Sequence, residues 1–242
     1  KLLMITQAQV AFGFMVNEGV IERALNLMTI PPQAREIVLF CTTVIARITL
    51  SNIEARKRFT AARGEETVLA VLDHFGKDHE VTYIVAILFS NVMCPSGAYR
   101  YRSPFTHKAI RSVVECARRA PPSVGLGASI MVMLANVACN SHRNQILVRM
   151  SGGITAVVEV MTRYRDNSVV QQKGCFALGN ISGDSPENRV EIGRVGGIHA
   201  IVAAMRAHPE SAALHDYAIY AVGNTCCNCR PNSVLFNTLG GI

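Results

Sequence analysis

An eleven-residue block that occurs three times is the strongest indication of the fold in this sequence. It reads NQILVRMSGGI at residues 144–154, NRVEIGRVGGI at 188–198 and NSVLFNTLGGI at 232–242, so each copy begins 44 residues after the one before it. Asn at the first position, an apolar residue at the third and Gly-Gly-Ile at the end recur together. A fixed period of this length is typical of proteins built from stacked structural units.

Composition indicates a folded chain rather than a disordered one. Of the 242 residues, 50% are hydrophobic, 17% are charged and none is Trp, so the core must consist mainly of aliphatic side chains and Met. Because stacked units share one elongated core, we predict a single solenoid over residues 1–242. Residues 1–18 and 240–242 are too short for whole units, and we expect the chain to be a fragment of a longer protein.

One position of the block, which holds glycine in four of the five repeats, marks the start of each repeat. Steps of 44 residues back from Gly196 reach Gly152, Lys108 and Gly64, and a step of 45 reaches Gly19. Each marker precedes apolar residues spaced three and four apart, which predict the buried face of a helix. The predicted repeats are approximately 19–63, 64–107, 108–151, 152–195 and 196–239.

Each repeat is predicted to contain three helices. A short helix carries the pattern that begins with Asn, the glycine turns the chain, and a second helix runs to a breaker such as Pro209. No stretch alternates with the period of two that is typical of a strand. The third segment is apolar almost all round, as expected for a helix packed between neighbours. These third segments are 34–53, 80–93, 124–139, 169–182 and 212–227.

The third segments end in a pattern that resembles the armadillo repeat. It reads ITLSNI at 48–53, ILFSNV at 87–92, VMLANV at 132–137, FALGNI at 176–181 and YAVGNT at 220–225. The resemblance implies an all-α fold, a right-handed superhelical solenoid of three-helix repeats. A two-helix solenoid of the HEAT type is the alternative, because its period is similar.

The first repeat departs from the pattern of the others. Asn52 lies twelve residues before Gly64, whereas Asn136 and Asn180 each lie sixteen residues before the next glycine marker. We therefore expect a longer third helix and a shortened first helix at this place.

The Asn of the third-helix pattern is the main candidate for a functional residue. The third helices of armadillo proteins line the concave face, so the resemblance implies a ladder of amides along a groove. An amide can bond both the C=O and the N–H of an extended peptide. The alternative is that each Asn only caps its own helix or a neighbouring loop. The five residues are Asn52, Asn91, Asn136, Asn180 and Asn224.

Residues one helical turn before each Asn would select the side chains of a bound segment. In importin-α, the nuclear import adaptor of the armadillo family, this position is largely Trp and grips a basic signal. This chain has no Trp, and Lys173 adds a positive charge seven residues before Asn180, so an acidic or apolar segment fits better. For the two aromatic residues, core packing is the alternative role. The positions hold Ile48, Ile87, Val132, Phe176 and Tyr220.

The sequence thus predicts a non-enzymatic scaffold that binds a partner protein. It has no phosphate-binding loop and no converging catalytic groups, and we expect no cofactor. The cluster Cys226, Cys227 and Cys229 lacks the fourth ligand of a closed zinc site, so we expect no metal either. A nuclear transport adaptor of the importin-α type is the first alternative. The second is a solenoid that binds nucleic acid or an acidic surface, because the net charge is +7 and basic residues cluster at 56–58, 100–102 and 118–119.

Cysteine usage and hydropathy predict the cellular location. Eight Cys without a regular framework spacing indicate reduced thiols, and the longest apolar runs, of about ten residues, are too short to cross a membrane. We expect an intracellular protein of the cytoplasm, the nucleus or both. Apolar ends of incomplete repeats would also allow copies of the chain to associate end to end.

Overall fold

The computed structural model describes residues 11–30, 34–75, 78–93, 110–112, 114–115, 118 and 123–241. All regular secondary structure in these residues is helical, as predicted. The chain divides into two compact units, residues 1–104 and 105–242, and a single continuous stack stays a prediction. No helix within the described ranges is both long and apolar enough to cross a bilayer.

The first unit contains two long third helices and the shorter helices around them. Its helices are α1 (Val20–Thr29), α2 (Arg35–Ser51), α3 (Ile53–Ala61), α4 (Gly64–Phe75) and α5 (His79–Met93). The two long helices, α2 and α5, pack against each other. An ion pair joins the start of α2 to the residue before α5, where Arg35 Nε donates to Asp78 Oδ2 at 2.6 Å.

The second unit contains two complete repeats of three helices. The repeats are α7–α9 and α10–α12, so the armadillo pattern is confirmed and the two-helix alternative is wrong. In this unit α9 packs between α6 and α12. The helices are α6 (Val124–Ala138), α7 (His142–Met150), α8 (Gly153–Arg163), α9 (Ser168–Ser182), α10 (Pro186–Arg194), α11 (Gly197–Ala207), α12 (Ala212–Cys226) and α13 (Arg230–Thr238).

The predicted apolar faces form the core. Ile154 and Val157 of α8, and Ile198 and Ile201 of α11, are fully buried. Leu178 of α9 is buried as well, and removing one such side chain from water contributes roughly 1.5–3 kcal/mol to stability. Burial of these side chains is therefore the main force that stacks the repeats.

The two glycines of the recurring block have different structural roles. The first adopts a left-handed conformation, with φ of 76° at Gly152 and 88° at Gly196, which glycine adopts without steric cost. The second allows the helices before and after the turn to approach closely. A Cβ on Gly197 would lie 2.5 Å from Ile192 Cγ2. The Gly-Gly pair therefore forms the turn between the first and second helices.

This turn corrects the predicted boundary of the second repeat. The left-handed position there is Arg63, with φ of 55°, and it follows Gly19 by 44 residues. Gly64 is the equivalent of the second glycine, since its Cβ would lie 2.4 Å from the Phe59 ring. The boundary at Gly64 is one residue late, because Arg adopts a conformation that the sequence pattern assigns to Gly. The one step of 45 residues between turn positions therefore lies between Arg63 and Gly152, and not between Gly19 and Gly64.

The first repeat differs from the others in the length of its third helix, but not in the length of its first helix. The third helix α2 has 17 residues and α9 has 15, so the longer helix is confirmed. The first helix α3 has nine residues, as does α7, so the expected shortening is wrong. Asn52 lies between α2 and α3 and caps α3, where its Oδ1 accepts from Ala55 N at 3.0 Å. It is therefore not on a third helix, and its predicted place in the ladder is wrong.

The Asn that opens the recurring block is structural. Asn188 is fully buried, and its Nδ2 donates to the carbonyls of Ile181 at 2.8 Å and Gln145 at 3.0 Å. Asn232 makes the same pair of bonds one repeat later, to carbonyls of the preceding third and first helices. One amide thus joins three helices at each of these positions.

Candidate functional site

The candidate surface, which we call the third-helix row, lies on α6, α9 and α12 of the second unit. Equivalent residues on these helices are 44 residues apart, so they occupy the same position of each repeat. The described members of the row are Asn136, Asn180 and Asn224 with Val132, Phe176, Tyr220, Lys173 and Tyr217. Asn91 holds the equivalent position on α5 of the first unit.

Each ladder Asn whose bonds are described joins its helix to the preceding third helix. Asn180 Nδ2 donates to the Ala135 carbonyl at 3.0 Å, and Asn224 Nδ2 donates to the Gly179 carbonyl at 3.0 Å. Asn180 is nearly buried and Asn224 is half-buried. These bonds fix the amides at one regular position, and they differ from the cap on the same helix or a loop that was the alternative.

The same bond identifies the true ladder position in the first repeat. Asn91 Nδ2 donates to the Ala46 carbonyl at 2.8 Å. In the other pairs the acceptor directly precedes a ladder Asn, so the residue after Ala46, which is Arg47, holds this position. The exposed Arg47 thus stands where the sequence pattern had placed Asn52.

Because the ladder position is Arg47 and not Asn52, a different residue also lies one helical turn before it. Ile48 is 1% exposed and belongs to the core, so its assignment to the surface is wrong. Thr43 takes its place, and its hydroxyl donates to the Leu39 carbonyl of the same helix at 2.7 Å. Ile87 and Val132 are half-buried at the equivalent positions.

Tyr220 crosses from α12 to α9 and covers part of the ladder. Its hydroxyl donates to Asn180 Oδ1 at 2.6 Å, and its side chain is 42% exposed. The ring lies against Gly179, where a Cβ would approach ring carbon Cε1 to 2.4 Å. Burial raises the pKa of the Tyr220 hydroxyl above its ordinary value.

A small aromatic cluster with its own cation lies beside Tyr220. The Phe176 and Tyr217 rings meet edge to face, with centroids 5.2 Å apart, and Lys173 Nζ lies 5.8 Å from the Tyr217 centroid. Tyr217 was missed by the sequence analysis. It is 44 residues after Lys173, so alignment of the repeats at that position could have found it. The contact places a positive charge over an aromatic face, which is favourable.

Acidic side chains are scarce on the third-helix row. Of the three helices α6, α9 and α12, only α12 carries a carboxylate, the exposed Asp216. Lys173 lies on α9, between the other two helices. The charge at this surface therefore gives little attraction for a basic segment.

The cysteines near the third-helix row differ in how deeply they are buried. Cys227 is exposed, Cys229 is buried and Cys226 is half-buried. Among the residues that the structure describes, no three or more His, Cys, Asp or Glu side chains lie in a group that could hold a metal ion. Cys175 on α9 is fully buried, and this burial raises the pKa of its thiol to about 12.

Comparison with known proteins identifies the fold. No family model matches the chain, and no curated protein matches it in sequence. Among solved structures, an engineered protein has a TM-score of 0.76 at 21% identity, over 90% of this chain and 85% of that one. A designed armadillo repeat protein in complex with the peptide (KR)4 has a TM-score of 0.70 at 14% identity, over 88% and 85% of the two chains.

A natural complex is similar as well. A structure from a study of a phosphorylation switch in the interaction between cadherin and beta-catenin has a TM-score of 0.75 at 15% identity, covering 93% of this chain and 42% of that one. Identities this low show the fold alone. The chain is an α-helical solenoid of armadillo-like repeats.

Proposed function

We propose that this chain is a non-enzymatic scaffold that binds an extended segment of a partner protein along the third-helix row. The observation that carries the proposal is the fixed orientation of its amides, since Asn180 and Asn224 are held by equivalent bonds one repeat apart. Helices packed about 8–10 Å apart match about three residues of an extended chain, at about 3.3 Å each. The row can therefore meet the peptide backbone at regular intervals.

The amides retain hydrogen-bonding capacity after these bonds are made. An Asn amide has two donor hydrogens, and the bond to the neighbouring helix uses one of them. Asn136 and Asn224 are half-buried and so within reach of a ligand. Asn180 becomes accessible when Tyr220 turns away from it, which makes Tyr220 a residue that a bound segment displaces. Asn91 has the corresponding role in the first unit.

The partner segment is expected to be acidic or apolar. Lys173 supplies the positive charge, and Phe176, Tyr217 and Tyr220 supply aromatic surface. An exposed apolar residue extends this surface along α9, where Val169 is 50% exposed. An acidic side chain would pair with Lys173 while its neighbours cover the rings.

The adaptor alternative requires a groove lined by carboxylates, and Asp216 is the one carboxylate of α6, α9 and α12. A basic transport signal is therefore not the segment that we propose for these helices.

The nucleic-acid alternative depends on basic clusters that are largely used within the fold. Arg56 is 2% exposed and donates to the carbonyls of Thr49 and Leu50, both at 2.7 Å, at the end of α2. Arg58 donates to the Val16 carbonyl at 2.7 Å. Arg100, Arg102 and Arg119 lie outside the described residues. The described part of these clusters caps helices and turns instead of presenting a charged stripe.

The cysteine pattern supports an intracellular location, in the cytoplasm or the nucleus, for the proposed scaffold. The six described cysteines are free thiols. This is the state expected in a reducing compartment.

The test uses surface residues, because Asn180 and Asn224 also hold the helices together. Captured partners should be compared for the native chain, Lys173→Glu and Tyr220→Ala, with Arg143→Glu as the control. Arg143 is exposed and lies on α7, so its reversal changes the net charge equally without altering the row. Peptides tiled across a captured partner then show whether an extended segment suffices.

We expect Lys173→Glu to weaken binding of an acidic peptide roughly five- to tenfold, and Arg143→Glu to have little effect. Equal loss in both variants would indicate nonspecific electrostatics. A partner that binds all variants alike, or only as a folded domain, would contradict the proposal.

A further inference from the structure

A cavity of about 380 Å³ lies between the second helices α8 and α11, away from the third-helix row. Its apolar wall includes Val158, Met161, Ala200 and Ala203. Its polar lining includes Thr162, Gln171, Val195 and Gly196, together with the exposed Arg165 and His199. This volume and mixed lining are within the range of sites that bind small groups.

We use the word joint for the contact between the second helix of one repeat and the turn between the first and second helices of the next. Comparison of equivalent positions shows which side chain is missing from the joint at this cavity. Thr162 lies 44 residues after Arg118 and 44 before Arg206. Arg118 Nη2 donates to the Gly152 carbonyl at 3.4 Å, and Arg206 Nη2 donates to the Leu239 carbonyl. Both acceptors belong to the turn between the first and second helices of the next repeat. At the middle joint, the Thr162 hydroxyl instead donates within its own helix, to the Val158 carbonyl at 2.8 Å.

The space beside the first glycine of each turn shows the same difference between the repeats. A Cβ on Gly152 would lie 2.6 Å from Arg118 Nη2, and one on Gly240 would lie 3.2 Å from Arg206 Nη2. A Cβ on Gly196 would meet no atom within 4 Å. The position that a guanidinium fills at two joints is therefore open at the third.

Two residues that carry hydrogen-bond acceptors line the same cavity as Gly196. The Val195 carbonyl, equivalent to that of Leu239, accepts no hydrogen bond from the described residues. Gln171 is 2% exposed, and its Nε2 donates to the carbonyls of Met161 at 2.8 Å and Tyr164 at 2.9 Å. The hydrogen bonds of this side chain within the described part of the chain are made by Nε2, which leaves Oε1 able to accept from a ligand.

We propose that this cavity binds the side chain of an arginine presented by a partner protein. The methylenes of the ligand would pack on Met161, Ala200 and Ala203, and its guanidinium would donate to the Val195 carbonyl and Gln171 Oε1. Arg165 and His199 oppose a cation, but both are exposed and salt screens their charge. This site is independent of the function proposed for the third-helix row.

The probe is Nα-acetyl-arginine amide, titrated into the whole chain while the backbone amides of Gly196 and His199 are followed by NMR. We expect a saturable shift with a Kd on the order of 1–10 mM, as is usual for one side chain. The citrulline analogue, which has the same shape without the charge, should bind about tenfold more weakly because charged donors make stronger bonds.

Thr162→Arg is the decisive variant. It restores the arginine that both neighbouring joints carry, so it should keep the fold and abolish binding, while Thr162→Ser keeps binding. Ala203→Leu narrows the cavity by a different route and should weaken binding even if Thr162→Arg fails to fold. Arg165→Gln should tighten binding, because it removes an opposing charge.

Several outcomes would overturn the proposal. They are the absence of a saturable shift, unchanged binding in both Thr162→Arg and Ala203→Leu, and preference for Nα-acetyl-glutamate amide, which would make this an anion site at Arg165 and His199. Tighter binding of free arginine than of the blocked form would assign the cavity to a metabolite instead of a protein.

Discussion

Asparagine has three distinct roles in this molecule, and the position of each Asn relative to a helix end decides among them. Asn52 caps the start of α3, Asn188 joins three helices, and Asn180 links two third helices. On α9 and α12, where the period is regular, the sequence pattern identified two Asn that make equivalent bonds, and their role as a binding ladder stays a prediction. The pattern failed at Asn52 because a cap and a ladder residue share the same side-chain type.

The buried amide of the recurring block can be tested at Asn188. Asn188→Ala removes two hydrogen bonds and leaves the carbonyls of Ile181 and Gln145 without this donor. We expect a loss of roughly 2–3 kcal/mol in the free energy of unfolding, measured by urea denaturation. The exposed Asn237 is the control, and its replacement by Ala should cost less than about 0.5 kcal/mol. Similar losses at the two positions would contradict the role of Asn188.

The buried thiol of Cys175 should make the free energy of unfolding decrease at alkaline pH. Burial raises the pKa of this thiol to about 12 from its ordinary value of 9.0. Between these values the unfolded thiol releases its proton while the native thiol keeps it, so stability falls as pH rises. Denaturation at several pH values should show a steeper decline for the native chain than for Cys175→Ala. Equal slopes would show that this thiol titrates alike in both states.

At the scale of the helix, two glycines at the same repeat position have opposite surroundings. Gly179 of α9 is covered by the Tyr220 ring, whereas Gly223 of α12 is exposed with no atom within 4 Å of an added Cβ. Each directly precedes a ladder Asn. The sequence shows that both residues are glycine. Only the packing of the neighbouring helices shows that Gly179 has no room for a larger side chain, whereas Gly223 does.

Replacement of each glycine by Ala should change stability in opposite directions. Gly179→Ala forces the Tyr220 ring away and breaks its bond to Asn180, so we expect a loss of roughly 1–3 kcal/mol. Gly223→Ala improves helix propensity without a clash and should gain roughly 0.5–1 kcal/mol. Thermal and urea unfolding of both variants provide the measurement. A gain at both positions would show that Tyr220 does not pack on Gly179.

At the scale of the whole molecule, each repeat is stabilised mainly by its neighbours. Met131, Cys175 and Leu178 are buried where third helices meet, while Ile219, the equivalent of Cys175, is 63% exposed on α12. An uncovered face of this kind is compatible with end-to-end association of copies, which stays a prediction. Stability in such an arrangement is a sum of repeat and interface contributions.

This view predicts that residues 105–242, expressed alone, retain helical structure and unfold cooperatively. They form a compact unit with their own buried core. A shorter chain, residues 168–242, exposes the face of α9 that α6 covers and should be clearly less stable. Circular dichroism and thermal unfolding compare the two. Loss of structure in the longer chain would show that it depends on residues 1–104.

The period, the helices and the class of fold can be read from the sequence alone, because burial of apolar faces repeats every 44 residues and leaves a recognisable pattern. Which residues occupy each position depends on how the helices pack, and this is seen only in the three-dimensional structure. It moved the turn to Arg63, gave the ladder position of the first repeat to Arg47, and added Tyr217 to the row. It alone revealed the cavity at Thr162, since a missing arginine has meaning only once Arg118 and Arg206 are seen to bond the next repeat. Sequence periodicity reports what repeats, whereas contacts between repeats depend on distances that no single segment contains.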